Sequence, residues 1–393
     1  MHTDSEQFFR SSNLVTISLP ENMKAWVVRE DRHGDPLQAM QLETVAFPKP
    51  GVGEVTIKVK AAGVNYNQLW ACWGKPVPVS GLHPEDPLHI GGSDASGIVV
   101  AVGEGVKSWK VGDEVVTHPN QSCGQCAACN GFEPLSCIHQ KAWGFETSYG
   151  SFAEYARVQA QQLIRKPKNL SWEEASCYGL KLFTAYRMLM VNADIKPNDR
   201  VLIWGAAGGV GSYAIQLCRA VSAIPICVIG SRDKEAYCRE LGAELFIDRS
   251  EFPYLSQQNQ AGAAPTEDMR KFRRRVREVT GGHEPDIVFE HVGAATFPTS
   301  VFIARRLGKI VICGATMGYQ VSFDARYLWM HQKQIIGSHG CNLHDAQRAN
   351  FLVEQGVVRP TLTRSYSFEQ TAIAHDDLMR GSGVQGSLAI TVS

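Results

Sequence analysis

The stretch VLIWGAAGGVGSYAIQLC, Val201 to Cys218, constrains this chain more than any other. An apolar run enters a turn dense in glycine and leaves it as a helical pattern. That order belongs to dinucleotide-binding folds. The glycines let the backbone turn tightly and approach a pyrophosphate, and the helix then aims free N–H groups and its positive dipole end at the phosphates. Gly205, Gly208, Gly209, Val210 and Gly211 are the residues assigned to that contact, with the helix expected to start near Gly209. A second strand follows at the right distance and ends in Gly230, Ser231 and Arg232, where an NAD-binding site usually carries an Asp or Glu for the ribose 2′-hydroxyl. A hydroxyl and a guanidinium suit a 2′-phosphate instead. Ser231 and Arg232 therefore favour NADPH, with Asp233 nearby as the argument for NAD.

The rest of the chain is arranged around this element. From about Ser171, helical segments alternate with short buried strands such as PDIVFEHVG and GKIVICGAT, which predicts a parallel sheet with helices on both faces. Before it, from Met23 to about Ala160, short alternating runs punctuated by Gly and Pro read as β-structure. The tail GSLAITVS reads like the first half and is expected to close back onto it. The resulting division is an N-terminal arm over 1–22, a catalytic domain from 23–169 and 341–393, and a cofactor domain over 170–340. A chain of 393 residues is long enough for two such cores.

Composition removes some partners. Lys plus Arg equals Asp plus Glu at 39 each, which gives no support for nucleic acid or an anionic membrane. No apolar run approaches the ~20 residues needed to span a bilayer. The N-terminus lacks a secretory apolar segment, so the expected location is the cytoplasm, where the eleven cysteines stay reduced. One run, KFRRRVREVTGG from Lys271, is strongly basic. It is either a solvated helix face or a contact for the phosphates of a nucleotide-tailed substrate.

Four cysteines crowd one loop, CGQCAACNGFEPLSC: Cys123, Cys126, Cys129 and Cys137. Four thiolates so spaced can close a tetrahedral structural zinc site. With this lobe, the chain from Met23 onward resembles the medium-chain dehydrogenase/reductase superfamily. The resemblance implies a GroES-like β-barrel catalytic domain beside a Rossmann doubly wound cofactor domain. In the zinc alcohol dehydrogenases of that superfamily a second, catalytic zinc is expected, but the matching positions here are Asn65, Ser93 and Leu180. None of them is a zinc ligand of the needed kind, which argues for reduction of an activated C=C bond over alcohol chemistry.

The stretches GVNYNQLWA, HIGGSDASG, WGFETSYGSFAEY, IVFEHVGAATF and FDARYLWMHQKQIIGSH resemble the crotonyl-CoA carboxylase/reductase branch, and also the acryloyl-CoA-reducing domain of propionyl-CoA synthases. That resemblance implies NADPH-dependent hydride transfer to an enoyl-CoA, giving an enolate that attacks CO2. It further implies a CO2 pocket at Asn67, Phe145, Glu146 and His291, with donors from the Asn67 amide and the Phe145 N–H and a water held by Glu146 and His291. A homo-oligomer, dimer or tetramer, is implied as well. The sequence departs from the branch at Val292, at Lys181, and at Gly340-Cys341, where the loss of an aromatic residue is expected to enlarge a pocket. The rival readings are an enoyl-CoA reductase that only protonates its enolate, a zinc alcohol dehydrogenase, and an NADPH-binding sensor without turnover.

Overall fold

The computed structural model describes residues 19–84, 88–256, 266–381 and 383–393. Most of the N-terminal arm, residues 1–18, lies outside the described residues, as does 257–265 of the polar segment before the basic run.

The first sheet is built on one long strand, Glu54–Val64. Val55, Ile57 and Val59 alternate along it and are fully buried, as a half-buried strand requires. It pairs with Ala95–Val102, Tyr155–Gln159 and Ser387–Thr391, all antiparallel. Register shifts at Thr56/Ile57 and Val59/Ala61 mark bulges, which bend a strand and let a sheet curl toward a barrel. The pairing of Leu388 with Val64 and Ile390 with Ala62 returns the C-terminal tail to the N-terminal half.

The second sheet has six parallel strands. In space they run Leu245–Asp248, Ile224–Ile229, Arg200–Ile203, Ile287–Glu290, Lys309–Ile312 and Gln334–Gly337. Numbered along the chain, that order is 3-2-1-4-5-6, the doubly wound arrangement. Both faces are covered. Leu202, Val228, Val288 and Ile310 pack into one core, and Ile203, Cys227, Phe289 and Val311 into another. Burial on both sides explains why these strands read as continuous apolar runs. The order reverses between Arg200–Ile203 and Ile287–Glu290, and such a reversal opens a crevice at the strands' carboxyl ends.

The basic run forms helix Glu267–Val279. Met269, Phe272 and Val276 form its buried stripe, and Phe272 stacks on Trp204 with ring centroids 5.2 Å apart. Five of its six cations are paired: Arg274 and Arg270 with Glu267, Lys271 with Asp268, Arg273 with Glu284 and Arg275 with Glu278. The run is therefore an ion-paired helix face, with exposed pairs each contributing roughly 0–1 kcal/mol. Among the described residues, no helix is long and apolar enough to cross a membrane.

Candidate active site

A cavity of about 460 Å³ lies between the two sheets. Its floor is the glycine turn. Gly205 has φ +56°, a conformation that favours glycine, and a Cβ on Gly211 would sit 2.5 Å from the Gly205 carbonyl. Gly208 caps the helix Gly209–Ala220, and Gly208, Gly209 and Val210 line the cavity. The C-terminal segment meets this turn directly, because the Gly386 N–H donates to the Ala207 carbonyl at 2.9 Å.

Three of the four residues assigned to the CO2 pocket line this cavity: Asn67, Phe145 and His291. Asn67 lies in helix Tyr66–Trp73, and its amide donates to Ser93 Oγ at 2.7 Å, leaving a second amide N–H. His291 follows the strand Ile287–Glu290, across the switch point from Gly205. Its Nε2 donates to the Trp204 carbonyl at 2.8 Å, so that in the neutral ring Nδ1 is the acceptor. Glu146 is different. Its carboxylate accepts from the Ala142 N–H at 2.6 Å and closes its own turn, and it does not line the cavity. The Phe145 N–H, expected to donate to a ligand, donates instead to the Ala142 carbonyl at 3.2 Å. A tight turn satisfies its own backbone first, so this segment offers the ring of Phe145 and not its N–H. Buried Trp143 anchors the turn through an indole bond to the Arg157 carbonyl at 3.0 Å.

The support beneath His291 has little signal in the sequence. Glu290 is fully buried and accepts from the N–H groups of Val292 and Gly293 and from the hydroxyls of Thr296 and Ser300. Ser300 in turn accepts from the Trp204 indole at 2.8 Å. A buried carboxylate needs that many donors. Val292 is part of the reason the loop holds, since a proline there has no N–H to give. The signal available in the sequence was a lone Glu ending an apolar strand.

On the cofactor side, Ser231 and Arg232 follow strand Ile224–Ile229, and the exposed Arg232 pairs with Glu251 at 3.1 Å. Arg249 carries no such signal in the sequence. Its guanidinium comes within 4.0 Å of where a Cβ on Gly230 would stand, which brings a second cation to the same corner.

The positions matching a catalytic zinc site are internally bonded. Asp94 is buried and accepts from the Asn65 amide at 2.8 Å and from the Leu180 N–H at 2.5 Å. Burial pushes its carboxyl above the ordinary range, against the opposing pull of Lys181 and these donors. Lys181 faces the cavity, and burial lowers its pKa while Asp94 raises it.

The four lobe cysteines, Cys123, Cys126, Cys129 and Cys137, converge so that their sulfurs all lie within 4.8 Å of one another. Sγ contacts of 3.5, 3.5 and 3.8 Å match the roughly 3.8 Å edge of a tetrahedron with metal–sulfur bonds of about 2.3 Å. The N–H groups of Gln125 and Cys126 hold the Cys123 thiol down at about 6, toward the thiolate a metal takes. Glu133, on the same lobe, pairs with Arg187 at 2.6 Å, and Arg187 also pairs with Asp345 at 2.6 Å. The lobe is thereby fastened to the body of the protein.

Gly340 lines the cavity, but it does not enlarge it in the way expected from the sequence. It has φ +55°, and a Cβ there would fall 2.1 Å from Asn120 Oδ1, which accepts from the Cys341 N–H at 3.2 Å. The space is filled by Asn120. Gly340→Phe is expected to lower stability by about 1–3 kcal/mol through this clash and the left-handed backbone, read as a thermal shift. A variant of unchanged melting temperature that merely accepts shorter acyl chains contradicts this.

Comparison with known proteins agrees with this architecture. Residues 51–168 match the alcohol dehydrogenase GroES-like domain, and residues 209–355 the zinc-binding dehydrogenase family. The chain is 46% identical to a crotonyl-CoA carboxylase/reductase of Cereibacter sphaeroides over 95% of its length and 88% of the relative's. It is 41% identical to a crotonyl-CoA reductase of Streptomyces collinus, over 94% and 88%. Among solved structures, a 2-octenoyl-CoA carboxylase reductase in complex with NADP and 2-octenoyl-CoA superposes with a TM-score of 0.89 at 38% identity, covering 95% of this chain and 88% of that one.

Proposed function

The chain belongs to the crotonyl-CoA carboxylase/reductase family, and we propose that it reduces an α,β-unsaturated acyl-CoA with NADPH and joins the resulting enolate to CO2. The observation that carries this reading is the meeting of Asn67, Phe145 and His291 around a cavity floored by the dinucleotide turn. Bound NADPH supplies the hydride for the β-carbon, which leaves a nucleophilic Cα enolate. The residues of the chain do the rest. Trp70, Val384 and Leu388 offer apolar walls to the acyl chain. The free amide N–H of Asn67 donates to one CO2 oxygen. A water donating to His291 Nδ1 has its other hydrogen for the second oxygen. Negative charge grows on both oxygens as the bond forms, so donors already in place lower the barrier. The Phe145 ring keeps bulk water, the competing proton source, from the enolate. Glu146 acts here by holding the turn that carries Phe145.

One observation favours the simpler reductase. Glu146 is turned away from the cavity, and a reductase that only protonates its enolate does not need it there. NADPH oxidation tests the common chemistry. Enoyl-CoA substrates are expected to turn over, and alcohols with NADP+ are not. Faster alcohol oxidation would overturn the assignment.

Cys123, Cys126, Cys129 and Cys137 would hold a structural zinc. One zinc per chain is expected by metal analysis, and chelation is expected to lower the melting temperature before it changes cofactor affinity. Two zincs per chain, or no thermal effect of chelation, contradicts this. Ser231, Arg232 and Arg249 suit the 2′-phosphate of NADPH. The exposed Trp329 and Met330 beside the edge strand Gln334–Gly337 suit pairing with a second copy in a homo-oligomer. All eleven cysteines are free, which suits the cytoplasm.

A further inference from the structure

Lys181 departs from the family pattern, and the reaction described above does not use it. It sits on helix Gly179–Tyr186 with 6% exposure. Its long stem does not point to solvent. A Cβ on Gly209 would stand 2.7 Å from Lys181 Cδ and 2.9 Å from Cε, and 3.4 Å from the Gly386 carbonyl. The stem therefore lies against the first residue of helix Gly209–Ala220, where that helix opens into the cavity.

This is an unusual place for a cation. The N-terminus of a helix of this length carries roughly half a positive charge, and an ammonium beside it is repelled. Burial raises the cost further. The charge of the nearby Asp94 offsets part of this, without a direct ion pair. Among the described residues the ammonium makes one hydrogen bond, to the Cys177 carbonyl at 3.4 Å. The nearby Asp94 is engaged with Asn65 and Leu180, and no ion pair to Lys181 forms within 4.0 Å. Two positive features converge on one wall of the cavity, and an anion arriving between them would satisfy both.

We propose that Lys181 is a cofactor-binding residue, whose ammonium contacts the pyrophosphate of NADPH together with the N-terminus of helix Gly209–Ala220. The inference rests on the NADPH reading of the glycine turn and adds a side-chain cation to what is otherwise a backbone site. Gly209 has a matching requirement: with no side chain, it leaves room for the lysine stem.

Fragments of the cofactor separate this role from others. Adenosine 2′-monophosphate carries the 2′-phosphate alone, and 2′-phospho-ADP-ribose adds the pyrophosphate. Calorimetry on Lys181→Met in the full chain is expected to show 2′-phospho-ADP-ribose bound about 10- to 100-fold more weakly, the range of one charge-assisted hydrogen bond. Binding of adenosine 2′-monophosphate is expected to stay unchanged, and Lys181→Arg to recover part of the loss. An equal loss for both fragments makes Lys181 a structural residue and overturns the proposal. Unchanged binding of both, with only kcat reduced, places the ammonium on the acyl group and overturns it as well. If the unaltered protein binds neither fragment, the NADPH reading itself fails.

Discussion

Asn67→Leu is expected to turn a carboxylating enzyme into one that mainly protonates its enolate. The ratio of carboxylated to saturated product should fall by about 100-fold or more, the range for removing one preorganised donor to a developing oxyanion, while NADPH oxidation falls far less. The split follows from where the side chain acts. Asn67 comes from helix Tyr66–Trp73 and not from the dinucleotide turn, so in the proposed reaction it would meet CO2 and not the migrating hydride. Leucine keeps the same branched skeleton with the same number of side-chain heavy atoms, which keeps the wall filled and water out. The Ser93 hydroxyl, which now accepts from Asn67 at 2.7 Å, loses that donor, and a thermal scan on the same variant controls for any loosening. His291→Ala should move the ratio the same way. An equal loss of NADPH oxidation and carboxylation in both variants removes these residues from CO2 handling.

Gly211→Val should cripple cofactor binding. Even a Cβ at this position would stand 2.5 Å from the Gly205 carbonyl and 2.8 Å from Ala206 Cα, both backbone atoms of the turn that must face the pyrophosphate. Backbone cannot rotate aside as a side chain can. The turn has to open, and Gly205 shifts against His291, whose Cε1 lies 3.2 Å from the Gly205 Cβ position. Overpacking of this kind costs roughly 1–3 kcal/mol, so NADPH should bind about 10- to 100-fold more weakly by fluorescence titration. Wild-type affinity in this variant contradicts the assignment of the turn.

The parts of the molecule set by local rules were legible in the sequence. A strand–glycine turn–helix carries its own geometry, and its helix does begin at Gly209. Four cysteines on one loop converge because the loop leaves them little else to do. The parts set by distant contacts were not legible. Gly340 read as lost bulk, but the reason for glycine is the side chain of Asn120, which arrives from another segment. Resemblance assigns Glu146 to the pocket, and the need of its turn for an acceptor at Ala142 keeps it out. Arg249 reaches Gly230 only because two parallel strands end side by side. The His291 loop depends on Glu290, whose charge is satisfied by a helix that follows it. Lys181 could be recognised in the sequence as out of place. Its direction came from packing against Gly209.

The central claim is that this cavity delivers the enolate to CO2, and the mass of the product tests it most directly. Purified protein would be supplied with NADPH and crotonyl-CoA, with and without bicarbonate and carbonic anhydrase. Ethylmalonyl-CoA as the main product when CO2 is supplied, and butyryl-CoA when it is withheld, is the predicted result. Butyryl-CoA alone under saturating CO2 contradicts it and leaves a reductase whose Asn67, Phe145 and His291 only shape the acyl pocket.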